Sequence, residues 1–158
     1  MGERLTNLCK LREGEDFVIR DLPRDEKQLR AMPHFEFENW AVIALGGIPN
    51  KAKVGDKGID GRIFPVDAVP KKQKGTLNFM DVWYPVQVKQ VDKVGRPDID
   101  KFEAVMIREE RTKGFFVSFG FTSDSLKEIQ AFFTHTGKSI IALTVREILD
   151  EEIAMKLA

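Results

Sequence analysis

Asp60, Gln87 and Lys89 are the residues whose types and spacing could do chemistry together. Gln87 and Lys89 stand two apart in the run Val82–Gln90, where β-branched and aromatic residues alternate with the period of a strand. Val82, Tyr84, Val86 and Val88 then share one face, and Gln87 and Lys89 the other. Taken alone, that pattern is satisfied by an edge strand with a solvated polar face. What separates the two readings lies upstream, where a second strand-like piece, Ile59–Phe64, can bring the Asp60 carboxylate to the same place.

A carboxylate, an amide and an ammonium so arranged suit metal-assisted hydrolysis of a phosphodiester. The scissile phosphate is anionic and repels nucleophiles, and a divalent cation neutralises it and polarises its oxygen. Magnesium favours an all-oxygen shell with several waters. Asp60, the Gln87 side-chain oxygen and the Val88 backbone carbonyl can supply such ligands. Lys89 could hold the attacking water or stabilise developing charge. Glu38, arriving from a preceding helix, could complete the outer shell, although a solvated glutamate is the ordinary state of such a position.

The elements that must position these residues are legible from periodicity. A helix is expected over His34–Leu45, with Phe37, Trp40, Ala41 and Ala44 on one face and Gly46, Gly47 and Pro49 ending it. Residues 1–32 read as a loosely packed lead-in or joint, with a strand-like Phe17–Arg20 and a short helix over Asp25–Met32. Residues 33–158 are then the domain proper. Lys71, Lys72 and Lys74 fall in the long connection before the Gln87 strand.

Beyond that strand, Pro97–Asp100 opens a helix with acids in its first turn, and Arg108, Arg111 and Lys113 close it. Ile99, Phe102, Val105 and Met106 form its buried stripe. Gly114–Phe119 is a continuous apolar run, as expected of a central strand covered on both faces. Thr122 or Ser123 caps the next helix, with Leu126, Ile129 and Phe133 inward. Ser139–Leu143 is another buried strand, and Thr144 with Glu147 makes a capping box for a last helix. Strand and helix therefore alternate through the second half, which is α/β.

Composition narrows the field. A chain of 158 residues with 42% hydrophobic and 32% charged residues suits one soluble domain. Twenty-five basic and twenty-five acidic residues cancel, so net charge speaks neither for nor against nucleic acid. Two histidines and one cysteine cannot build a structural zinc site, and Cys9 alone fits a reducing compartment. No run is long and apolar enough to cross a bilayer, and no signal peptide is evident, so a cytoplasmic protein is expected. Gly137-Lys138-Ser139 imitates the end of a P-loop, but Phe132 stands where its first glycine belongs. Gly55, Gly58 and Gly61 precede a strand instead of joining strand to helix, which argues against a dinucleotide site.

Asp60 followed by a strand with Gln87-x-Lys89 resembles the Asp…(Glu/Gln)-x-Lys pattern of the PD-(D/E)xK nuclease superfamily. The similarity is to its Mrr-like restriction endonucleases. Phe37-Glu38, then Gly55 to Gly61, then Val86 to Lys89, then Gly114 to Thr122 stand in that family's order, over roughly residues 33–149. The resemblance implies a restriction-endonuclease-like mixed sheet flanked by helices, a site at the sheet edge, and magnesium-dependent DNA cleavage with manganese able to substitute. It implies Asp60 and Gln87 at the metal and Lys89 as the catalytic lysine. Glu38 (or its neighbour Glu36) matches the helix glutamate, and Asp56 matches an earlier acid with a structural role. A methylase-like or other domain of a longer protein and a homodimer are further implied partners. Lys71, Lys72, Lys74, Lys93 and Arg96 could track phosphates, or simply solubilise the surface. A non-cutting DNA-binding module and an interaction domain of a larger defence protein are the competing readings.

Overall fold

The computed structural model describes residues 25–50, 58–65 and 82–150. Among these residues five strands form one mixed sheet in the order β1 (Ile48–Pro49), β2 (Gly61–Ile63), β3 (Tyr84–Lys89), β4 (Lys113–Ser118), β5 (Ser139–Thr144). The first three run antiparallel, and β3, β4 and β5 run parallel. Parallel neighbours need helical crossovers, and α3 (Arg96–Arg108) and α4 (Ser123–Thr136) supply them. The helices α1 (Glu26–Ala31) and α2 (His34–Ala44) precede the sheet, and α5 (Val145–Leu149) follows it.

Two apolar layers cover the two faces of the sheet. Val86, Val88, Phe115, Val117 and Leu143 pack with Leu29, Phe37, Ala41, Val42, Leu45, Val145 and Ile148 from α1, α2, the end of α2 and α5. Phe116 and Ile140 pack on the other side with Ile99, Phe102, Val105 and Met106 of α3 and Phe132 of α4. Successive residues of β4 thus enter opposite layers, which is why its sequence is apolar without a break. Gly114 belongs to the same logic: a Cβ there would lie 2.9 Å from Phe102 and Met106.

Local signals place the helix ends. Asp25 accepts from Gln28 N to begin α1, and Thr122 accepts from Ser125 N to begin α4. Thr144 and Glu147 form the expected capping box, and Gly137 ends α4 at φ +71°. Gly137 is therefore a helix C-cap, in line with the rejection of a P-loop.

Several expectations need correction. β3 is the middle strand of five, not an edge, and Val82 lies outside it at 47% exposure. Asp60 stands just before β2 instead of within it. Leu29 is completely buried, so α1 packs into the core and is not loosely attached. Arg111 and Lys113 fall beyond α3, with Lys113 opening β4. Ala44 is exposed, whereas Val42 and Leu45 turn inward. In α4 the inward stripe is Ser125, Ile129 and Phe132, leaving Leu126 and Phe133 about half exposed at 49% and 51%. The apolar stripe of α4 is broad, and the side that approaches the sheet carries the small Ser125, bonded back to Thr122 O at 2.8 Å. Phe17–Arg20 lies outside the described residues.

Candidate active site

Asp60 is held by its backbone before its side chain acts. Its amide donates to Val86 O at 2.8 Å, extending the β2–β3 ladder by one residue, and its carbonyl accepts from Asn50 N at 3.0 Å. The Asn50 side chain also donates to Ile59 O at 2.6 Å. Beyond Val86 the ladder passes from backbone to side chain: Val88 N donates to Asp60 Oδ2 at 2.7 Å. A residue in a strand turns its N–H and C=O to the same edge. The Val88 carbonyl therefore opens on the side where Asp60 stands.

Gln87 Nε2 donates to the same Asp60 Oδ2 at 2.9 Å. Among the described residues, Asp60 Oδ1 and Gln87 Oε1 accept no hydrogen bond. Gly58, at φ +83°, lies beside that corner: a Cβ on it would press to 3.1 Å from Val105 and touch Gln87 Oε1 at 3.5 Å. Burial pushes the Asp60 carboxyl up to about 6, the Val88 N–H opposes this, Glu38 adds to the rise, and His34 and Lys89 pull it down. A half-desolvated carboxylate with one free oxygen, an amide oxygen and a carbonyl turned to the same edge make an all-oxygen donor set. That set fits a hard divalent cation.

Lys89 leaves β3 on the Gln87 face, and its Nζ pairs with Asp98 Oδ1 at 3.5 Å, in the first turn of α3. Glu38 reaches Asp60 electrostatically, while Glu36 is exposed, which favours Glu38 as the helix glutamate of this site. The Glu38 Oε1 accepts from His34 Nε2 at 3.0 Å. His34 Nδ1 lies 3.3 Å from Gln90 Oε1, and Gln90 Nε2 donates to Leu29 O and Met32 O at 3.0 and 2.8 Å. The loop between α1 and α2 is thereby tied to the end of β3. Asp60, Gln87, Val88, Lys89 and Glu38 converge.

His34 and Asp98 escaped the sequence reading. The signal for His34 is its (i, i+4) relation to Glu38 on one helix; the sequence marks Asp98 only as a helix-start acid. A cluster of Asp100, Glu103 and Glu128 also escaped, with carboxylate oxygens all within 4.8 Å of one another. Burial and then Glu128 and Asp100 push Glu103 up to about 7, opposed by Arg96. The Arg96 guanidinium is engaged there, 2.9 Å from Glu128 and 3.7 Å from Asp100, whereas Lys93 is exposed. Lys71, Lys72, Lys74 and Asp56 lie outside the described residues.

Among the described residues no helix is long and apolar enough to cross a membrane. No curated protein matches the chain. A family model does, from residue 29 to residue 150: the restriction endonuclease family Mrr_cat. That match begins at the buried Leu29, ends with α5, and spans the mixed sheet and every residue of the convergent set. The chain belongs to the Mrr_cat restriction endonuclease family.

Proposed function

We propose that this protein is a magnesium-dependent DNA endonuclease, acting in the cytoplasm in restriction or defence. The observation that carries the reading is the shared Asp60 Oδ2, which accepts from Gln87 Nε2 and Val88 N and so joins the carboxylate, the amide and the Val88 peptide at one corner. Asp60, Gln87 and the Val88 carbonyl would hold the divalent cation, magnesium or manganese. When bound, the cation supplies neutralisation and polarisation of the scissile phosphate. Lys89 orients the attacking water and stabilises charge as it develops on phosphate oxygens. Glu38 acts on Asp60 through space and holds His34 at the rim. Gln87 is neutral, so the cation meets fewer fixed negative charges than an acid at that position would give.

The test is plasmid nicking with magnesium and with manganese by wild type, Asp60→Ala and Lys89→Ala, with circular dichroism to confirm folding. Both variants should lose cleavage while keeping the fold. Undiminished nicking in both would remove this reading. Duplex binding without cleavage under any divalent cation would instead favour a non-cutting binding module.

A further inference from the structure

One charged cluster has no part in the proposed chemistry. Arg62 of β2 and Arg111, in the turn after α3, both lay their guanidinium groups over the indole of Trp83, at 4.8 and 4.3 Å from the ring centre. Each such contact is favourable, but two like charges drawn to one ring also repel each other. Among the described residues Arg62 has no carboxylate partner, and its side-chain hydrogen bond goes to Asn50 Oδ1 at 3.2 Å. A guanidinium stacked by its face still presents N–H donors at its edge, in the fork geometry that a phosphate accepts.

The cluster also lies on the right side of the sheet. Trp83 immediately precedes β3, four residues before Gln87. Trp83 packs against the layer that contains Val105, and Val105 and Gln87 meet at Gly58. Four residues of strand span about 13 Å, or roughly four base-pair steps of duplex at 3.4 Å each. A duplex with one phosphate at Asp60 therefore has further phosphates within reach of the arginines. Arg62, through Asn50, is joined to the backbone that carries Asp60.

We infer that Arg62, Trp83 and Arg111 form a second binding surface for duplex DNA, contacting backbone phosphates away from the cleavage site. This rests on the endonuclease reading. The test is binding of a short duplex, without divalent cation, to wild type and to Arg62→Gln/Arg111→Gln across a salt series. The variant should bind more weakly, with a logarithmic salt slope shallower by about 1.8, or 0.9 for each phosphate that an arginine no longer neutralises. In a Trp40→Phe background, where Trp83 is the remaining tryptophan, duplex should change the emission saturably and in a salt-dependent way, a readout that does not require the arginine variant to fold. An unchanged slope in a folded variant, or unchanged Trp83 emission at saturating duplex, overturns the second surface and leaves the endonuclease reading intact. Absence of duplex binding by wild type overturns both.

Discussion

Lys89 is ion-paired to Asp98 and not to Asp60: its Nζ stands 3.5 Å from Asp98 Oδ1, while its effect on Asp60 is exerted through space. Asp98 thus aims the ammonium along the Gln87 face without joining the donor set. Asp98→Asn should slow nicking on the order of tenfold, the scale seen for residues that orient a functional group. Stability should change by less than about 1 kcal/mol, because the pair is partly exposed. Parallel nicking and thermal-melt measurements separate the two effects, and undiminished nicking would make the pair a surface interaction only.

The raised Asp60 carboxyl has a definite sign in stability. Its folded value of about 6 lies above the ordinary 3.8, the main cause being burial. Below about pH 3.8 both states are protonated and burial of the carboxyl carries no charge penalty. As pH rises through about 6 the folded state comes to hold a desolvated charge, and native stability falls, by up to about 3 kcal/mol. Asp60→Asn should therefore melt higher than wild type at pH 7.5, with the gap closing toward pH 4. Magnesium should raise the wild-type melting temperature at pH 7.5 and leave the variant unchanged, since a ligand stabilises only the state that binds it. A gap independent of pH would assign the effect to packing instead of charge.

Gly61 couples the core to the site. A Cβ there would lie 2.4 Å from one Val42 methyl and 2.7 Å from the other, directly beside Asp60. Gly61→Ala should cost about 1–3 kcal/mol by overpacking and lower nicking through displacement of Asp60. Adding Val42→Ala opens that space, so the double variant should be more stable than the sum of the single losses in denaturant unfolding. Strict additivity would show that the backbone shifts without Val42.

The elements whose signals are local were legible early. The capping box of Thr144 and Glu147, the buried stripe of α3 and the unbroken run of β4 each depend on neighbours within one element. The phase of α4 was not legible, because Leu126 and Phe133 are as apolar as Ile129 and Phe132 and only docking against the sheet chooses between them. The partners of Glu38 and Lys89 were half legible: His34 follows from helical spacing, whereas Asp98 meets Lys89 only where the start of α3 returns beside the end of β3.

By itself the sequence determined the alternation of strand and helix and singled out Asp60, Gln87 and Lys89 as a candidate set, since side-chain type and period are properties of the chain. Tertiary structure alone decided that β3 is central, that Asp60 finishes the ladder with its side chain, and that one oxygen takes both hydrogen bonds while the other accepts none among the described residues. Those outcomes depend on where the antiparallel partner β2 begins against β3. Periodicity within either strand does not specify that register.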